Sequence, residues 1–169
     1  MNKRVIKPLV LILLIGMFGY FAYGLVNQGK KTDVGDKAYN FSLPNLEGST
    51  TKLSDLKGNM VIINYFATWC EPCKDEAPEL EQFAKDYGSK YKLVMLNRGE
   101  TKDRVKTFLK KYDTPAIYLF DYNAKISKIY NVTGQPETFI IDRGGVIREH
   151  YNGPLTENQL YSFVKKYDK

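Results

Sequence analysis

Apolar residues fall in blocks along this chain, and the spacing inside the blocks changes from one to the next. MVIINYFA, Met60 to Ala67, is a nearly continuous apolar run of strand length. Such a run, apolar on both faces, suits a central strand of a covered sheet. KLVML, Lys92 to Leu96, and the stretch Ala116 to Phe120 read the same way. Between the first two runs the period changes. From Pro72 the apolar positions are Ala77, Leu80, Phe83, Ala84 and Tyr87, a spacing of three and four that predicts a helix. Pro72 suits its first turn, Pro78 is expected to kink it, and Gly88 to stop it. Thr101 to Tyr112 is a second amphipathic helix, with Val105, Phe108, Leu109 and Tyr112 on one face. Tyr122 to Tyr130 reads as a short helix. Glu137 to Asp142 and Val146 to Tyr151 form a strand pair around Arg143-Gly144-Gly145. Thr156 to Tyr167 closes the chain as a helix. Upstream, FSLPNLEGSTTKL predicts two short strands joined at Pro44 to Gly48, and LSDLKG a polar turn ending at Gly58. The order implies an α/β fold with helices on both faces of the sheet.

The N-terminus departs from this pattern. Three cations, Lys3, Arg4 and Lys7, precede an uncharged run of 19 residues from Pro8 to Val26. At about 1.5 Å per residue that run reaches roughly 28 Å as a helix, close to a bilayer core. It predicts an export signal or a single membrane span. An uncleaved signal anchor is the preferred form, because Ala22-Tyr23-Gly24 makes a poor cleavage site. The polar segment NQGKKTDVGDK, residues 27–37, then reads as a tether. The charge balance follows from this division. The chain is +6 overall, but residues 1–31 hold five cations and no acid. The remaining 138 residues carry 20 Lys and Arg against 19 Asp and Glu. No basic field is left for nucleic-acid binding.

The only two cysteines lie in FATWCEPCKDEAP, three positions apart, where the first strand run meets the first helix. A structural disulfide normally closes a long loop, and this one spans two residues. Zinc needs four ligands, and His150 is the only histidine. Redox chemistry has a positive basis, because unpaired N–H groups and the dipole at a helix start stabilise a thiolate. Cys70 precedes the helix and is expected to be the more exposed, as attacking nucleophile. Cys73, one turn in, is expected to resolve the mixed disulfide.

These motifs resemble a known family. ATWCEPC resembles the WCxxC site of thioredoxin-fold proteins, Pro78 matches that fold's helix-kinking proline, and TGQPETFIID resembles its cis-proline loop. More narrowly the chain is similar to the membrane-anchored TlpA/ResA/CcmG group of thiol-disulfide reductases, with CEPC and KDE as in ResA and GxPETFxID as in CcmG. The resemblance implies a thioredoxin fold with an N-terminal β-hairpin (38–53) and a central helix-strand insertion (101–120). It divides the chain into an anchor, 1–28, a linker, 29–37, and a thioredoxin-like domain, 38–169.

The resemblance also carries expectations for the site. Cys70 and Cys73 become the redox pair, with no bound cofactor or metal. Pro136 would be cis and face the disulfide, and the backbone of Gln135 would pair with a substrate strand. An ordinary turn is the alternative for both. Glu76 lies three residues past Cys73, on the same helix face. It would hold a raised pKa and take the proton from Cys73, unless it is only a solvated charge in Lys74-Asp75-Glu76. Thioredoxin has a buried Asp six residues before its first active-site cysteine; here Asn64 stands there, as in the ResA-like group. Glu71 would disfavour the Cys70 thiolate, or else point into water. Trp69 would pack beside the site, or else be a core aromatic. His150 is expected to be structural or solvated.

By the same resemblance the expected activity is reduction of disulfides in exported proteins at the outer side of the cytoplasmic membrane. Apocytochrome c would be the client and a CcdA/DsbD-type membrane carrier the electron source. Other exported clients (spore or envelope proteins, a methionine sulfoxide reductase) and an oxidising direction are rivals of the same fold. A tethered binding module with a structural bridge is the rival of another class. A monomer is the default.

Overall fold

The computed structural model describes residues 13–20 and 32–168. Residues 13–20 are helical and belong to a unit, Met1–Lys30, separate from the folded body. The rest of the expected anchor lies outside the described residues, as do residues 29–31 of the expected linker. Among the described residues no helix is long and apolar enough to cross a membrane.

In the folded body a small hairpin, β1 (Ser42–Pro44) and β2 (Thr50–Lys52), leads into β3 (Met60–Phe66). Then follow α1 (Glu71–Tyr87), β4 (Tyr91–Arg98), α2 (Lys102–Leu109), β5 (Ile117–Asp121) and α3 (Lys125–Ile129). β6 (Glu137–Ile141), β7 (Ile147–Asn152) and α4 (Glu157–Tyr167) complete the chain. The five-stranded sheet has the order β5-β4-β3-β6-β7. β3, β4 and β5 are parallel, while β6 is antiparallel to both of its neighbours.

The period of two along each strand divides the core into two layers. Met60, Ile62 and Phe66 of β3 pack with Leu80 and Phe83 of α1, Val105 of α2 and Leu160 and Val164 of α4. Val61, Ile63 and Tyr65 face the other way, against Phe41, Leu43, Ile126 and Tyr130. All seven residues of β3 are buried, which is why the strand reads as a continuous apolar run.

Three element boundaries differ from expectation. Leu53–Leu56 is a single 3-10 turn rather than a polar loop, because Leu53 is drawn into the hairpin-side core. α2 stops at Leu109, three residues short, where Lys111 N and Tyr112 N both turn back to Phe108 O; Tyr112 still packs on the Phe108 ring, centroids 4.6 Å apart. α3 begins at Lys125 and not Tyr122. Ala124 adopts a left-handed conformation (φ 51°), and the buried carboxylate of Asp121 accepts hydrogen bonds from Ser127 N (2.8 Å) and Oγ (2.7 Å).

The topology places the site. β3 runs toward the cysteine loop and β6 runs back from it, with Tyr65 opposite Glu137. The end of β3 and the start of β6 therefore meet at one pole of the sheet. The loops carrying Cys70 and Pro136 extend from that shared end.

Candidate active site at the strand-helix junction

Cys70 is the N-cap of α1, and Pro72 sits in the first turn, where no N–H is needed. Cys73 N donates to Cys70 Sγ at 3.2 Å. That bond and the open helix end both favour negative charge on the Cys70 sulfur. The two cysteines form a disulfide with their Cα atoms 5.3 Å apart. Their exposures, 5% and 3%, differ little, so the expected contrast between an open Cys70 and a buried Cys73 is slight in the oxidised state. The Gln135–Pro136 bond is cis. Gln135 O lies 3.4 Å from Cys70 Sγ, close enough to accept an S–H bond once the pair is reduced.

Glu76 is 2% exposed, which excludes the solvated-charge alternative. The α1 face that carries Cys73 turns it onto the sheet. Its Oε2 accepts from Asn64 Nδ2 at 3.0 Å and its Oε1 from Leu155 N at 2.9 Å. Asn64 sits opposite Thr138 in the β3–β6 register, and its Nδ2 also donates to Thr138 Oγ1 at 3.0 Å. Burial pushes the Glu76 carboxyl up to about 7, against the opposing pull of those two donors. A carboxyl poised near neutrality one helical turn past Cys73 can take up or release a proton at working pH.

For two neighbouring residues the exposure decides between the alternatives. Glu71 points into water. Its side chain is 75% exposed and closes a 2.8 Å ion pair with Lys74, which holds its carboxyl below the usual range. Helical spacing of three turns it outward. Trp69 is not a core aromatic, because it is 64% exposed. It lines a groove of about 700 Å³ together with residues of α2.

Two carboxylates that composition and periodicity did not single out hold the loops in place. Glu100 is 6% exposed and accepts from Thr68 N (2.8 Å), Thr68 Oγ1 (2.6 Å) and Asn97 Nδ2 (2.8 Å). It fixes the loop two residues before Cys70. Glu137 is fully buried and accepts from Thr133 N (2.9 Å) and Gly134 N (3.0 Å), which fixes the turn before Pro136. His150 is structural, as expected. Its ring stacks on Phe139 with centroids 4.1 Å apart, and its Nε2 meets the Glu137 carboxylate. Replacing Glu100 with Ala leaves the part-buried Thr68 N–H without its acceptor and the Asn97 amide with only a longer bond to Phe66 O (3.4 Å). The expected cost is about 2–4 kcal/mol, read as a lower denaturation midpoint, with lower anisotropy of the lone Trp69. Unchanged values of both would show that the bracket is not what holds the loop.

Among the described residues no group of three or more potential ligands could hold a metal ion. Comparison with known proteins agrees with the redox geometry. Residues 34–150 match the AhpC/TSA family. Thiol-disulfide oxidoreductase ResA of Bacillus thuringiensis subsp. konkukian (strain 97-27) is 33% identical over 167 residues, covering 98% of this chain and 96% of that protein. Thioredoxin-like protein YneN of Bacillus subtilis (strain 168) is 35% identical over 161 residues, covering 91% and 94%. The crystal structure of a thiol:disulfide interchange protein from Chlorobium tepidum TLS superposes with a TM-score of 0.72 at 27% identity, covering 80% of this chain and 97% of that one. With the disulfide at a helix start, the facing cis-proline and the sheet order, these likenesses place the chain in the AhpC/TSA family, as a thioredoxin-fold thiol-disulfide oxidoreductase that carries electrons on cysteines and needs no cofactor.

Proposed function

We propose that the chain works as a reductant, tethered by residues 1–28 to the outer side of the cytoplasmic membrane. Its clients are disulfides of exported proteins, the haem-binding cysteines of apocytochrome c first among them. A membrane thiol carrier of the CcdA/DsbD kind would return the oxidised pair to the dithiol. The observation that carries the direction is the buried Glu76. Once ionised it places negative charge one helical turn from Cys73, raises the thiol pKa values and leaves the reduced form less stabilised. Oxidants of this fold are strong because their reduced form is stabilised.

The cycle follows from the same groups. The Cys70 thiolate, favoured by the start of α1, attacks one sulfur of the client disulfide and expels the other as a thiolate. A mixed disulfide now links Cys70 to the client. The main chain at Gln135 offers a strand edge that holds the client's backbone, and the neighbouring Pro136 has no N–H to compete. Glu76 takes the Cys73 proton. The Cys73 thiolate attacks Cys70 Sγ, the Cys70–Cys73 disulfide forms, and the client leaves with both of its sulfurs reduced. Two electrons have passed, with no group needed beyond the thiols.

The test is the reduction potential of the full chain in non-ionic detergent, equilibrated against thiol buffers. A value near thioredoxin's roughly −270 mV is expected, whereas one near the roughly −120 mV of a strong oxidant would reverse the direction.

A further inference from the structure

Electron transfer as described uses nothing on α2, yet α2 forms one wall of a groove that begins beside the nucleophile. Trp69, one residue before Cys70, lines the same groove. Arg104, Thr107, Phe108 and Lys111 recur along α2 and its final turn at spacings of three and four, so they face the groove together. Phe108 and Trp69 give it apolar surface. Arg104 and Lys111 are exposed, and among the described residues neither is in a salt bridge. The groove's lining carries Lys74, Arg104 and Lys111 against Glu71 and Asp103, one positive charge in excess, although Lys111 also acts weakly on Glu71. Glu71 is closed on Lys74, and Asp103 lies in the first turn of α2, where the helix end offsets its charge. The segment is basic as a whole. Residues 102–111 hold Lys102, Arg104, Lys106, Lys110 and Lys111 against Asp103 alone, although the body outside residues 1–31 is nearly neutral.

A client whose sulfur is bonded to Cys70 can run its chain past Trp69, the adjacent residue that lines the groove. An extended chain advances about 3.3 Å per residue, so only a few residues separate the bonded cysteine from the groove. We infer that this groove seats the polypeptide flanking the client cysteine, and that it selects segments bearing Asp or Glu near that cysteine. The inference rests on the oxidoreductase reading and adds a substrate class to it.

The test is single-turnover reduction by the full chain, reduced beforehand and held in non-ionic detergent, with Trp69 fluorescence as the signal. Two synthetic peptides share one disulfide ring and differ only in flanks of four Asp or four Lys. A small neutral disulfide, 2-hydroxyethyl disulfide, reports the thiol chemistry alone. The acidic peptide is expected to react about tenfold faster than the basic one at low salt, with the ratio falling toward one near 0.5 M salt. Arg104→Glu/Lys111→Glu is expected to abolish or invert the ratio. Lys125→Glu/Lys128→Glu makes the same change in net charge at exposed positions of α3, on the other face of the sheet, and is expected to preserve it. Equal peptide rates beside normal reduction of 2-hydroxyethyl disulfide would overturn the inference. So would an equal loss in both double variants, which would show a net-charge effect and no seat. Failure to reduce 2-hydroxyethyl disulfide would instead remove the activity itself, and the inference with it.

Discussion

Cys73→Ala, expressed in cells that make the client, is expected to accumulate as a covalent adduct through Cys70. Cys70→Ala is expected to form none. Turnover should fall by at least ~10³-fold in either variant, since the two sulfurs act as one unit. The asymmetry follows from position. Cys70 caps α1 and receives the Cys73 N–H, so its thiolate is the favoured one, and the sulfur left in Cys73→Ala is the attacking one. Neither variant should unfold the protein. Closing so short a loop contributes at most about 2 kcal/mol by chain entropy. Adducts resolved on non-reducing gels and identified by mass spectrometry would also name the client. Apocytochrome c among them supports cytochrome maturation, while a trapped set without it moves the proposal to another exported protein. An adduct formed by Cys70→Ala, through Cys73, would reverse the assigned roles.

Glu76→Gln is expected to separate the two halves of the reaction. Attack by Cys70 should change only a few-fold, while resolution by Cys73 slows by about 10² for want of its base. In the wild type the resolution rate should rise through pH about 7 as Glu76 ionises. In the variant that rise should disappear. Stability must move in the opposite sense. The folded-state pKa is raised from 4.5 to about 7, so the folded protein holds the proton more tightly than the unfolded chain. The associated stability is fully present below about pH 4.5 and is lost as pH rises through about 7, an amount of up to about 3 kcal/mol. The variant should lack this decline and overtake the wild type in relative stability at pH 8. Asn64 can serve the new amide, because its Oδ1 is buried without a partner and a rotation of its side chain would present it. Denaturant titrations at pH 5 and 8, with stopped-flow resolution rates, measure both effects. A variant with the wild-type pH profile would make Glu76 a structural residue.

What was legible in the chain was whatever repeats or stands close in sequence. The period of β3 and α1 gave both elements, and the Cys70-to-Cys73 spacing placed the pair at their junction. The position of Glu76 on the Cys73 face of α1 follows from helical spacing. Its burial does not, because nothing local distinguishes it from Asp75; the sheet beneath it and Leu155, 79 residues away, decide that. Glu71 points into water for the complementary reason, since Lys74 one turn on turns it outward and neutralises it. Glu100 gave no signal at all. It belongs to no periodic segment, and its partner Thr68 lies 32 residues back, so only the folded loop pairs them. Glu137 was part of a string valued for its proline, and its work on Thr133 and Gly134 is invisible in spacing. Trp69 is expected from the sequence to pack beside the site, with a core place as the alternative, and only the folded chain, which leaves it exposed, excludes the core.

The start of β6 has a consequence for how this site can change. Thr138 belongs to the layer that includes Asn64 and Glu76, while Glu137 lies on the other side of the strand with Phe139 and His150. Adjacent residues thus serve opposite layers, the proton-holding group on one and the proline turn on the other. Because the strand alternates with a period of two, inserting or deleting a single residue between Pro136 and Phe139 would exchange their sides and damage both at once. A length change in this segment is therefore costly unless a bulge such as the one in the β6–β7 pair absorbs it, whereas α2 and its neighbouring loops can change length with no strand parity at stake.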